Sequence, residues 1–120
     1  MTIGFRITPT PLGDDGTVIA VRGEVDLFTA PDLKAAIGAA VSEGRVRVVV
    51  DLTETSFLDS SGLGVLVGAL QRLRDHDGAL SVVNVDASIA RTFTITGLDQ
   101  ILAVRDKRED AIAALEAEPA

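Results

Sequence analysis

Apolar positions along the chain recur at intervals of two in some stretches and of three to four in others, and the changes of interval mark out the elements. Ile3, Phe5 and Ile7 alternate with Gly4, Arg6 and Thr8, the period of a strand with one wet face. The turn-rich PTPLGDDG that follows predicts a long loop, and TVIAVRG a second strand, more uniformly apolar and so more central. Thr29 is placed to cap a first helix, with Pro31 and Asp32 suited to its first turn. Leu33, Ala36, Ile37, Ala40 and Val41 form its stripe and Gly44 a left-handed stop. RVRVVVDL (45–52) predicts a third strand and TETSFLD a connector. Leu63, Leu66, Val67, Leu70 and Leu73 mark a second helix ending before Gly78. ALSVVN predicts a fourth strand, and Ser88–Thr96 a short helix capped by Ser88, with Gly97 past its end and Leu98 packing back. ILAV predicts a fifth strand. Asp106 and Glu109 resemble a capping box for a last helix containing Ile112 and Leu115, and the tail, residues 116–120, is expected to fray.

The order β-β-α-β-α-β-α-β-α predicts an α/β fold in one domain spanning residues 1–120. Its mixed sheet of four to five strands is opened by an antiparallel β-hairpin and continued by right-handed parallel crossovers, with about four helices.

Composition narrows the chemistry. Aromatic residues are 3% against 47% apolar, so the core is aliphatic and base stacking is close to excluded. The net charge of −7 disfavours nucleic acid and direct membrane contact, and favours a partner with basic patches. Without cysteine there is no disulfide, thiol nucleophile or thiolate metal site. No apolar run approaches the roughly 18 residues that would span a bilayer, and the N-terminus lacks the pattern of a signal peptide, so a cytoplasmic location is expected. His76, the one histidine, sits in a charged turn and reads as a surface residue; no metal and no cofactor are expected. Gly62, Gly64 and Gly68 fall inside the second helix rather than in a strand–helix turn, which predicts close packing onto the sheet rather than a phosphate loop. Nor do the serines at 60 and 61 lie on a G-x-S-x-G elbow. Of the paired carboxylates, Glu24 and Asp26 stand out, because GEVD follows the second strand at the sheet edge where parallel sheets place their sites.

The segment FLDSSGLG, residues 57–64, carries two readings. Asp59, Ser60 or Ser61 can cap the second helix. Alternatively the serines are exposed and Phe57 and Leu58 flank them as a partner surface, unless those two residues fold under into the core.

GEVDLFTAPDL followed by VVVDLTETSFLDSSGLGVLV resembles the bacterial anti-sigma factor antagonists, single-domain members of the STAS superfamily. The likeness runs from Val18 to Leu102 in matching order of elements, and D-S-S-G-L is its specific part. It implies a STAS-like fold and a non-enzymatic switch. The unmodified protein would bind an anti-sigma factor that is itself a serine kinase, freeing the sigma factor. The kinase would phosphorylate Ser60 to end binding, and a metal-dependent protein serine phosphatase would reverse the step. Of the partner-binding residues expected, the resemblance implies Asp26, meeting basic residues of the kinase, Asp59 and Ser61, flanking the acceptor, and Gly62, allowing close approach; Glu24, Phe57 and Leu58 join them from the reading of the residues themselves. A monomer or weak dimer is expected. The alternative on the same fold is a STAS scaffold or transporter-associated subunit that acts by binding without phosphorylation.

Overall fold

The valine-rich runs assemble as a five-stranded sheet whose spatial order follows the sequence: β1 (Arg6–Leu12), β2 (Gly16–Val25), β3 (Arg47–Leu58), β4 (Ala79–Val83) and β5 (Ala103–Arg105). The computed structural model describes residues 4–117, so Ile3 and residues 118–120 of the expected tail lie outside the described residues. β1 runs antiparallel to β2, and the other neighbours are parallel. Four helices accompany the sheet among the described residues: α1 (Ala30–Ser42), α2 (Ser60–Asp75), α3 (Ala87–Thr96) and α4 (Arg108–Ala117). The mixed sheet, the opening hairpin and the helix count are as the sequence predicts.

Each crossover from β2 to β5 steps one strand in the same direction, so α1, α2 and α3 land on one face. There Leu33, Ile37, Leu66, Leu70, Leu73 and Phe93 pack on Ile19, Val21, Val48, Val50, Leu80 and Val82. The other parity of the same strands, Val18, Val49, Ala79 and Val83, meets Ala111 and Leu115 of α4. That second layer is thin, and polar contacts help to hold it. Arg108 reaches Asp51 in β3 at 2.7 Å, Ser81 Oγ donates to the carbonyl of Ala111 at 2.7 Å, and Arg47 donates to the carbonyl of Leu115. Asp51 is only 6% exposed. Burial pushes its carboxyl up, but the Thr53 hydroxyl and the Arg108 guanidinium outweigh that and hold it below the ordinary carboxylate range.

Several elements depart from expectation. β1 continues through Pro9 and Pro11, so the hairpin turn is short rather than a long loop. The prolines sit two apart on the edge strand, where alternate N–H groups have no partner to lose. β3 runs on through the segment expected to be a connector. α3 is capped by Asp86, whose Oδ1 accepts from Ile89 N at 3.0 Å, and not by Ser88. Thr29 occupies the N-cap position of α1 without a side-chain cap. The Asp106–Glu109 box does not form among the described residues; α4 starts at Arg108, with Lys107 O accepting from Ala111 N. Gly44 and Gly97 do take the left-handed conformation, at φ 79° and 77°, and Leu98 packs back as expected.

Candidate functional site

β2 and β3 end side by side at the C-terminal edge of the sheet, and their exits build the site. β3 is irregular there. Ala20 pairs with Asp51 but Arg22 with Glu54, and Gly23 pairs with Thr55 but Glu24 with Phe57. Each slip leaves extra residues on β3, a bulge that re-aims the side chains after it. Burial accordingly passes from every residue over 48–52, where both faces are covered, to every third (Leu52, Thr55, Leu58). Phe57 is thereby turned outward, 47% exposed, beside Glu24, while Leu58 turns into the core.

The chain then enters α2. Asp59 adopts the extended backbone of an N-cap, and its Oδ1 accepts from Ser61 N at 2.8 Å and Gly62 N at 3.2 Å. Asp59 is therefore the cap. Ser60 is the first helical residue, exposed, and its hydroxyl has no hydrogen-bond partner among the described residues. Ser61 is half-buried, and Gly62 is buried. A Cβ on Gly62 would come within 2.3 Å of Leu58 Cδ1 and 2.8 Å of Val25 Cγ1. Gly62 is thus required by inward packing, which sets the start of α2 down onto β2 and β3. Gly64 and Gly68, expected to pack on the sheet, are instead exposed. They line a 430 Å³ groove between α1 and α2 with Ser61, Lys34 and Arg72.

The β2–α1 loop lies alongside, joined to the start of α2 by Asp59 N donating to Val25 O at 3.1 Å. Asp26 folds this loop. Its Oδ1 accepts from Phe28 N at 2.9 Å and Thr29 N at 3.1 Å, while Thr29 Oγ1 donates to Glu24 O at 2.7 Å. Asp26 thus serves the local backbone. Its turn pushes two consecutive apolar side chains into solvent, Leu27 at 68% and Phe28 at 86% exposure. Neither was among the sequence candidates. The signal available was an apolar pair inside a segment bounded by Asp26 and Thr29, residues that favour local turns.

The N–H of Thr29 above all, helped by the Phe28 N–H and the Thr29 hydroxyl, holds the Asp26 carboxyl below the ordinary carboxylate range against the opposing effect of burial. A depressed folded-state pKa contributes stability that is present above the unfolded value and lost as pH falls through the folded one. Acidification below about pH 4 is therefore expected to release the loop, read as faster amide exchange at Phe28 and Thr29 while the strand amides stay protected. A second expectation concerns the cap. Asp59→Ala should cost about 1 kcal/mol, visible as a lower urea midpoint, because two N–H groups lose their acceptor.

The site therefore consists of one unengaged hydroxyl on the first turn of a helix, acidic groups around it and three exposed apolar side chains nearby. Of the sequence candidates, the structure brings together Glu24, Asp26, Phe57, Asp59, Ser60 and Ser61 near the surface, and places Leu58 and Gly62 beneath them. No group of three or more Asp, Glu or His residues is arranged to hold a metal ion, and no helix is long and apolar enough to cross a membrane, among the described residues.

This fold, with this helix start at the sheet edge, is that of the STAS domain family, and the chain belongs to it: the family profile matches residues 8–111. The relatives it resembles are anti-sigma factor antagonists. It is 43% identical over 88 residues to the anti-sigma-B factor antagonist of Listeria monocytogenes, covering 73% of this chain and 77% of that one. It is 38% identical over 96 residues to the one from Staphylococcus epidermidis, covering 80% and 89%. The crystal structure of an anti-sigma factor antagonist from Mycobacterium paratuberculosis superimposes with a TM-score of 0.79 at 31% identity, covering 96% of this chain and 95% of that one.

Proposed function

We propose that the protein is an anti-sigma factor antagonist: a binding protein, not an enzyme, that sequesters an anti-sigma factor and is switched off by phosphorylation of Ser60. The observation that carries this reading is the Ser60 hydroxyl itself, exposed at the start of α2 and tied to nothing, while the neighbouring Asp59 performs the capping. A serine placed there for stability would be the cap. The likeness to named antagonists supports the same class.

The partner is an anti-sigma factor with serine kinase activity. Its surface would offer an apolar recess for Phe28, Leu27 and Phe57 and basic groups toward Glu24, Asp59 and the net charge of −7. In the switching step Ser60 Oγ loses its proton and takes the γ-phosphoryl group of ATP, and ADP leaves. A metal-dependent serine phosphatase returns the hydroxyl by transferring the phosphoryl group to water. An added phosphate at Ser60 meets the positive end of α2, so the domain tolerates it. The interface does not, because the new charge and bulk arrive where the partner must seat.

Incubation with the cognate kinase and ATP, followed by mass spectrometric mapping, tests the assignment. Phosphate on Ser60 alone is expected, and Ser60→Ala should take up none while still binding. Stable modification at Ser61 or Thr55 in place of Ser60 would sink the site. Thr55 is a poor acceptor on geometric grounds, since it is buried and its Oγ1 donates to Val21 O at 2.9 Å.

A further inference from the structure

α4 covers only part of its face of the sheet. It packs on Leu12 and Val18 at one end of the β1–β2 pair, but the same face is open at the other end, where the pairing sets Arg6 directly opposite Arg22 and Thr8 opposite Ala20. Like charges directly opposite in an antiparallel pair repel, so this is an unfavourable arrangement unless something negative lies between them. The small Ala20 leaves a hollow of 180 Å³, and Arg108, at the start of α4, lines it from the third side together with Thr53. Three of the eleven basic residues of an acidic chain therefore converge on one small cavity. Two carboxylates also line it, and each is turned to one arginine. Asp51 accepts from Nε and Nη2 of Arg108 at 3.0 and 2.7 Å, which leaves Nη1 of Arg108 uncommitted. Glu54 approaches Arg22 at 3.7 Å, a loose and exposed pair. Arg6 has no carboxylate partner among the described residues.

We propose that this cavity is a binding site for a small, multiply charged oxyanion of the phosphate or dicarboxylate class, held between Arg6 and Arg22 and reached by the Arg108 Nη1 and the Thr8 hydroxyl. Planar guanidinium forks suit such oxygens. The cavity falls short of the about 300–1,000 Å³ that small-molecule pockets occupy, so it suits an ion rather than a nucleotide. It opens on the face opposite α2 and stands independently of the function proposed for Ser60. An occupant would tie the outer hairpin to α4 through Arg108 and raise the stability of the folded state.

Titration of the full chain with inorganic phosphate and with succinate, each against sodium chloride at matched ionic strength, tests the proposal by amide NMR. Saturable shifts are expected at Arg6, Thr8, Arg22 and Thr53 with one of the two anions, and the tighter anion identifies the class. Arg6→Gln, on an exposed edge, should weaken that binding about tenfold with an unchanged spectrum elsewhere. Arg91→Gln on α3 should leave it unaltered. Shifts that track ionic strength alike in all three salts, or equal affinity in Arg6→Gln, would overturn the site.

Discussion

Phosphorylated at Ser60, the protein is expected to bind its anti-sigma partner about a thousandfold more weakly than the unmodified form. The phosphoryl group adds about −1.5 to −2 charges at neutral pH. A single close clash of unit charges near a surface is worth about 4 kcal/mol at 4 Å, and each 1.4 kcal/mol is about tenfold in affinity. The repulsion acts within this chain, between the phosphate and Asp59: water screens it in the free phosphoprotein, and seating the partner strips that water away, so the cost falls on the complex even though the partner's groups are basic. The fold should register little. Since Asp59 and not Ser60 accepts from the first-turn N–H groups, Ser60→Ala removes no cap, and its stability should stay within about 0.5 kcal/mol of the parent. Calorimetric titration of the unmodified protein, the phosphoprotein, Ser60→Ala and Ser60→Asp against the kinase checks the whole series. Ser60→Ala should bind as the parent does, and Ser60→Asp, with about half the charge of phosphate, should fall between. Unweakened binding by the phosphoprotein would end the switch reading whatever site the kinase prefers.

Much of this was legible in the residues, and the exceptions have causes. TVIAV of β2 and ALSVV of β4 are near-continuous apolar runs, and the stripe of α2 keeps one helical period, so each announces itself. The end of β3 does not, because two bulges break its pattern just where it reaches the site. A near-continuous apolar run that gives way to a period of three looks like the end of a strand. The helix start shows a related limit. D-S-S offers three capping side chains in a row, and spacing cannot choose among them; the extended backbone of Asp59 and its paired bonds to Ser61 and Gly62 do. Spacing and resemblance together gathered residues 57–62 as a partner surface, and the structure divides that segment: Ser60 is exposed, whereas Leu58 and Gly62 face the core. The most exposed apolar pair, Leu27 and Phe28, went unmarked because a Leu-Phe step ordinarily announces a core. Only the Asp26 turn, a three-dimensional feature, explains why it points outward.

The chain has four phenylalanines, and the same truncation should give opposite results at two of them. Phe93 is 1% exposed on α3, inside the layer formed with α1 and α2. Phe93→Ala is expected to cost about 3–5 kcal/mol, since the aliphatic neighbours that fill this core can only partly collapse into the space. Against a total of about 5–15 kcal/mol for such a domain, that is a large fraction. The urea midpoint should drop steeply with the slope unchanged, and at a temperature where the variant remains folded its affinity for the partner should be intact. Phe28→Ala removes a ring that touches water in the isolated protein, so its stability should change by no more than about 0.5 kcal/mol. Its affinity should instead fall by about 2 kcal/mol, roughly thirtyfold, because the ring would be buried only when the partner arrives. The two variants thus form a crossed pair in which one loses stability and keeps binding while the other does the reverse. If Phe28→Ala bound as well as the parent, the apolar rim would be incidental to recognition, and the acidic groups beside Ser60 would have to carry the complex without it.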